Sequence, residues 1–449
     1  MKKLTGWLLA LVSIFVGTNA QTLGDRYSAT AKQILDAART DNGAYEKLVY
    51  LCDRIGNRLS GSPGLDKAIG WAKAEMLRDG LVNVSTPTVK VPHWVRGAES
   101  AAIVSPMERP LTILGLGGSV GTGKSPLTAD VVVAHDFAEF EKLGRAKVEG
   151  KIVLFNMAWE GYGRTVQYRG RGPSAVAKMG GVAILIRSVT GVSLQSPHTG
   201  ALAYEPGVTQ IPAAAITVED AGWIDRLTAH GETVRVRLTM SARMLPEAES
   251  ANVIGEVRGS EKPQEVVVIG GHIDSWDVGQ GAQDDGSGIV TAMQAAALIQ
   301  RLGLKPRRTI RVVLFTNEEN GGAGGRAYRE MVGGEIKNHV AAIEMDGGAE
   351  KLAGYGMDKR VLDRFQGVAK LLAPIGADHF TEGGGGADIG PLLKDGVPGL
   401  SPHTGGGHYF DWHHTQSDTV DKIKPEELRE HVGAMALMAF ILADMPERP

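Results

Sequence analysis

One cysteine, Cys52, occurs in 449 residues. A lone thiol excludes an intramolecular disulfide, so the fold rests on burial, with bound metal as a supplement. After the N-terminus no apolar run approaches the roughly 18 residues a spanning helix needs, so the mature chain is expected to be soluble. Charge of one sign is also missing: 48 Lys and Arg face 51 Asp and Glu, a net of −3. That balance lacks the basic field of a nucleic-acid or anionic-membrane binder, and neither is expected as a partner. Cys52 sits in the apolar helical stretch Val49-Tyr50-Leu51-Cys52 and reads as a small core residue rather than a nucleophile.

Glycine is abundant instead. The 60 glycines are about double the usual share and show no Gly-X-Y period, which excludes collagen and implies many tight turns. Hydrophobic residues at 43% and charged residues at 22% exclude general disorder. The length suits two domains. Lys2 and Lys3, an apolar run from Trp7 to Val16 and the small residues Gly17-Thr18-Asn19-Ala20 lay out a secretory signal peptide over residues 1–20. The mature protein is therefore expected in the periplasm or outside the cell.

Residues 21–96 read as the N-terminal part of a catalytic domain. Helices are predicted over 21–80, one opened by Ser62-Pro63 and carrying Leu65, Ile69, Ala72, Met76 and Leu77 on one face. Residues 97–245 read as an inserted, mainly β domain. Short extended runs such as Val84–Val91, Ala101–Val104, Asp130–Ala134, Lys151–Phe155 and Val182–Ile186 are punctuated by Gly and Pro, with helical stretches at Phe137–Lys142 and Gly172–Lys178. Residues 246–449 alternate strand and helix. Strands are predicted at Glu265–Gly270, Thr309–Thr316 and Val340–Met345, and helices at Ile289–Leu302 and Pro425–Ala443. This pattern predicts an α/β fold with a mainly parallel mixed sheet flanked by helices.

Sites in such sheets gather beyond the carboxyl ends of strands. The first predicted strand runs into Gly271-His272-Ile273-Asp274, and a glycine-rich loop then reaches Asp284-Asp285-Gly286-Ser287-Gly288. The second is followed by Asn317-Glu318-Glu319, the third ends in Glu344-Met345-Asp346, and a late loop brings Trp412-His413-His414-Thr415-Gln416-Ser417-Asp418. Each alone is an ordinary turn or a solvated loop. Together they converge one His and at least five carboxylates, with a second His from the loop. Burying so many like charges is very costly without cations. A pair of divalent ions resolves it, and imidazole and carboxylate ligands without thiolate fit zinc, with manganese or cobalt as substitutes.

These residues carry a family likeness. His272-x-Asp274, Asp284-Asp285-Gly286-Ser287-Gly288, Glu318-Glu319, Asp346 and His414-Thr415-x-x-Asp418 resemble the co-catalytic zinc exopeptidases of the M28 type. The resemblance is closest to its carboxypeptidase members. It extends to Asp53-Arg54-Ile55-Gly56, Arg164-Thr165-Val166-Gln167-Tyr168-Arg169, Ser196-Pro197-His198-Thr199-Gly200 and the run from Asp274 to Gly281.

It implies that the inserted domain is similar to the protease-associated type. Two zinc ions are implied, bridged by Asp284, with His272 and Asp346 on one and Glu319 and His414 on the other. Glu318 is implied as general base and Asp274 as the group orienting His272, with Asp285 and Asp418 beside the ligands. The family's cis peptide after the bridging Asp is implied at Asp284-Asp285. A water held between two such cations can reach a pKa near 7. Glu318 would take its proton and pass it to the leaving amine. Tyr409 or His408 is the candidate donor to the oxyanion, and His413 a neighbour or substrate contact. The resemblance further implies dipeptides or short peptides with free termini as substrates, and a homodimer.

Aminopeptidases share the same metal set, so the end of the peptide attacked stays open. Arg164, Arg169 and Arg187 are candidate carboxylate partners if the inserted domain overhangs the cleft. A glutaminyl cyclase would need only one metal, and a receptor-like relative would have lost ligands. The P-loop-like string Gly118–Ser125 and the overlapping nucleophile-elbow string Gly117–Gly121 lead into extended sequence, where both motifs need a helix.

Overall fold

The computed structural model describes residues 22–449; the signal peptide expected over residues 1–20 lies outside them. Among the described residues are two eight-stranded sheets and a two-stranded ribbon. No described helix is long and apolar enough to cross a membrane.

The first sheet places its strands in the order Val82–Ser85, Val253–Val257, Arg308–Phe315, Lys262–His272, His339–Glu344, Gly399–Thr404, Leu352–Met357, His379–Glu382. Its middle is parallel: Lys262–His272 lies between Arg308–Phe315 and His339–Glu344, with Gly399–Thr404 outside the latter. The unbroken run Val266-Val267-Val268-Ile269 serves both faces because side chains alternate along a strand. Val267 and Ile269 enter the core formed with the helices Leu23–Arg39, Ser287–Arg301 and Pro425–Asp444. Val266 and Val268 enter the opposite core, under the helix Ala323–Val332. Ser62 caps the helix Pro63–Arg78 as predicted by accepting from Leu65 N–H. Leu77 is the exception on its predicted face. It is 56% exposed, and Ala68 supplies the buried contact instead.

The second sheet is built from residues between 99 and 240. Four parallel strands, Leu127–Ala134, Ile152–Phe155, Ala183–Arg187 and Ala213–Ile216, form one half. The helices Phe137–Val148, Tyr162–Lys178 and Val218–Ala229 accompany its strands. Ile152–Phe155 and Ala213–Ile216 are buried at every position, which parallel strands covered by helices on both faces require. The unit hangs on the antiparallel ribbon Thr88–Val95 with Arg243–Ala251, where Val95 lies opposite Arg243. The predicted run Val84–Val91 is thus two strands. Ser85 ends one in the first sheet, and Thr88 begins one in the ribbon. The string Gly118–Ser125 leads into the strand Leu127–Ala134, not a helix.

Cys52 is buried, and that burial pushes its thiol up to about 12. His431, fully inside the helix Pro425–Asp444, donates Nε2–H to Glu350 O at 2.7 Å. Burial holds its imidazole down at about 4. The unfolded chain protonates this group near pH 6.5, so stability is complete above that value and is lost as pH falls towards 4. The loss is roughly 3 kcal/mol. Denaturant titrations from pH 7.5 to 4 should show a shallower dependence in His431→Gln than in the wild type.

Candidate metal centre

Three parallel strands end at one place and deliver the site. His272 is the last residue of Lys262–His272, Glu318 and Glu319 follow Arg308–Phe315, and Asp346 follows His339–Glu344. Asp284 arrives from the loop after His272, which buried Arg58 holds in shape. Its Nε donates to Ile273 O at 2.8 Å, its Nη1 to Gln280 O at 2.7 Å and its Nη2 to Gly281 O at 3.0 Å. Asp418 accepts from the N–H groups of Ala282, Gln283 and Asp284 at 3.1, 2.7 and 3.2 Å. The peptide Asp284–Asp285 is cis. Asp285 accepts from His272 N–H and from Gly288 N–H, both at 3.0 Å, tying the strand end to the start of Ser287–Arg301. Gly288 permits that approach, since a Cβ there would lie 2.1 Å from Met345 O.

At Asn317 the backbone turns through φ +64°, which Asn tolerates better than bulkier residues. The turn lets Glu318 N–H and Glu319 N–H donate to the two oxygens of Asp274 at 3.0 and 3.3 Å. Asp274 therefore braces the two glutamates. Its main-chain oxygen, not its carboxylate, takes the closer contact with His272 Nδ1, at 3.0 Å against 3.8 Å.

His272 Nε2 lies 3.1 Å from Asp284 Oδ1 and 3.4 Å from Asp346 Oδ1. His414 Nε2 lies 3.1 Å from Asp284 Oδ2 and 3.0 Å from Glu319 Oε2. Asp284 thus faces two imidazoles through its two oxygens. Two donor groups are compact enough to share a cation: His272, Asp284 and Asp346, and Asp284, His413 and His414. The second includes His413, whose ring stacks on His414 at 3.5 Å between centroids and whose Nε2 is 3.6 Å from Asp284 Oδ2.

Burial pushes the Glu319 and Asp418 carboxyls up to about 7. It raises Glu318 well above the carboxylate range; His272 pulls back, while Asp346 and Glu319 add to the rise. Burial opposes charge on His272 and His414, yet the surrounding carboxylates outweigh it and hold both well above the usual imidazole range. Asp284 Oδ2, Glu319 Oε1 and Asp346 Oδ1 are buried without a hydrogen-bond partner. Divalent cations fit this set. They satisfy the three orphaned oxygens, cancel the mutual repulsion of the acids, and meet hard and borderline donors without sulfur.

Asp284, Glu319, Asp346, His413 and His414 line a cleft of about 280 Å³ with Glu318, Tyr162, Arg169, Tyr409 and Phe410. Among the described residues, none hydrogen-bonds the Glu318 side chain. Tyr409 lines the cleft, and burial beside Asp284 and Asp346 keeps its phenol protonated. His408 is outside the lining, exposed and paired with Asp411 at 2.8 Å. Arg169 lies on the helix Tyr162–Lys178, so the second sheet unit does overhang the cleft. Arg164 and Arg187 instead line a separate cavity of about 310 Å³. A larger cavity of about 720 Å³ opens beside Lys47, Trp71 and Asp79, away from the donor set. Arg58 was not visible from sequence, since a lone arginine in Asn57-Arg58-Leu59 gives no signal of the carbonyls it collects.

The sequence model of peptidase family M28 matches residues 252–439. Carboxypeptidase Q of Bos taurus is 41% identical over 428 residues, covering 94% of this chain and 90% of the relative. Carboxypeptidase Q of Homo sapiens is 40% identical, covering 93% and 89%. A crystal structure of a peptidase M28 precursor from Shewanella amazonensis SB2B superposes with a TM-score of 0.91 at 36% identity, covering 95% of this chain and 98% of that one.

Proposed function

Since this chain belongs to peptidase family M28 and is a zinc-dependent exopeptidase, we propose that it cleaves dipeptides or short peptides with free termini, in the manner of a carboxypeptidase. The observation that carries this reading is the cleft itself. Its size, about 280 Å³, suits a dipeptide, and its lining holds both metal donors and Arg169. Arg169 is the one Lys or Arg among its lining residues. A guanidinium is the natural match for a free carboxylate.

The resident zinc pair would be held by His272, Asp284, Asp346, Glu319 and His414, and it supplies Lewis acidity towards a carbonyl and acidifies water. Glu319 is preferred to His413 because its carboxylate contacts His414 directly and has an orphaned oxygen. His413, stacked on His414, faces Tyr162 and Tyr409 and serves the substrate side. Glu318 holds and moves the proton, taking it from the attacking water and returning it to the leaving amine. Tyr409 O–H donates to the oxygen that gains charge. Asp274 fixes Glu318, and Asp285 and Asp418 fix the backbone at His272 and Asp284.

Free, amino-blocked and carboxyl-blocked forms of one dipeptide test the assignment. The carboxyl-blocked form is expected to lose most of its kcat/KM. At saturating zinc, Arg169→Met should cost the free dipeptide about 10–100-fold, mainly in KM, the worth of a charged hydrogen bond. Equal rates on all three forms would sink the exopeptidase reading, and loss confined to the amino-blocked form would favour an aminopeptidase. Residues 1–20 act in this reading as an export signal, checked by the N-terminal residue of the mature protein. The dimer is checked by light scattering.

A further inference from the structure

We propose that the loop Ser196–Gly200, backed by Arg169, orients His414, so that one half of the metal centre is complete only when the second sheet unit is seated on the first. The inference rests on His414 being a zinc ligand, as above.

Two hydrogen bonds join the loop to that residue. Thr199 N–H donates to His414 O at 3.0 Å, and His414 Nδ1 lies 3.3 Å from Thr199 O. A carbonyl oxygen can only accept, so Nδ1 carries the proton. The lone pair is then on Nε2, the atom facing Asp284 and Glu319. Arg169 Nη1 lies 3.4 Å from Nδ1, but it is itself a donor, so the carbonyl and not the guanidinium is the partner of Nδ1. Arg169 acts one step back by donating to the same Thr199 O at 3.0 Å. His414 has φ +61°, outside regular structure, so its orientation depends on such bonds.

The loop is in turn fixed to the first unit. Arg96 at the ribbon's end forms a two-pronged ion pair with Asp277, at 2.9 and 2.6 Å, and its Nη2 reaches Thr199 Oγ1 at 3.3 Å. Gly117 lies flat on Trp276, where a Cβ would come within 2.0 Å of the ring, and Trp276 packs edge-on against His414. Gly200 lies against the guanidinium of Arg169. A Cβ there would be 2.0 Å from Nη1, and φ is +134°. Among the described residues, the hydrogen bonds of this loop and of Arg169 reach His414 and none reaches His272 or Asp346, so the effect should fall on one metal site. Partners that orient a metal-bound histidine are worth about 10–100-fold in metal affinity.

The test is zinc titration of the full chain against a chromophoric chelator, with cobalt(II) absorption as a second readout. The variants are Arg169→Met, Gly200→Val and Asp277→Asn; the last loosens the seating without touching the cleft. The wild type should bind two ions. In Arg169→Met and Gly200→Val one step should weaken by about 10–100-fold while the other stays within about twofold, and one cobalt band should change. Asp277→Asn should move the same step by less. Unchanged affinities in all three variants would overturn the proposal, and so would equal weakening of both steps. A wild-type chain that takes up no zinc would instead sink the metal reading beneath it.

Discussion

Glu318→Gln is expected to cut turnover of a free dipeptide by about 10²–10⁴-fold while zinc stoichiometry stays at the wild-type value. The size of the effect follows from the position of the side chain. Its main chain is held by Asp274, its carboxyl has no hydrogen-bond partner among the described residues, and burial with neighbouring acids lifts it well above the usual carboxylate range. A carboxyl held at that place beside the donors can take a proton and return it within the same cycle. Gln preserves shape and removes the proton exchange. Single-turnover kinetics together with metal analysis separate the outcomes. Retained turnover would assign the proton to another group, and lost zinc would make Glu318 a ligand.

Stripping the metals should be the second large effect. Dialysis against a chelator is expected to bring hydrolysis to background and to lower the thermal transition by several degrees, with both restored by zinc. The donors are buried and mutually repulsive, so the folded state without cations keeps charges that the unfolded chain disperses in water. Saturation at 100–1,000 times the dissociation constant stabilises a protein by about 2.7–4.1 kcal/mol per site. Calorimetry with and without chelator measures this. An unchanged transition alongside lost activity would mean that the acids are relieved by protons rather than by metal.

Part of the candidate site was legible because its residues occur where a sheet must present them. His272, Glu318, Glu319 and Asp346 each follow a strand that sequence marks by an apolar run: Val266–Ile269, Val312–Phe315 and Val340–Ile343. Asp284 and His414 depended on the family likeness, since nothing local distinguishes Asp284 from Asp285 or His414 from His413. Their stacked rings show how narrow that choice is. Other features had no sequence signal. Arg58 and Thr199 work through main-chain carbonyls far away in the chain, and main-chain atoms carry no identity. Leu77 follows Met76 by one residue, about 100° further round the helix, which takes it off the buried stripe of Leu65, Ala68, Ala72 and Met76. In Val84–Val91, Pro87, which has no N–H for a ladder, marks the change of sheet.

The ribbon of Thr88–Val95 with Arg243–Ala251 has an evolutionary consequence. The whole segment from 96 to 242 departs and returns through neighbouring positions of one hairpin, Val95 and Arg243. A single genetic event can gain, exchange or delete a segment with such adjacent ends, and the strands that bear His272 and Asp346 keep their alignment. The catalytic framework and its canopy are therefore free to diversify at different rates, except at the few positions that touch.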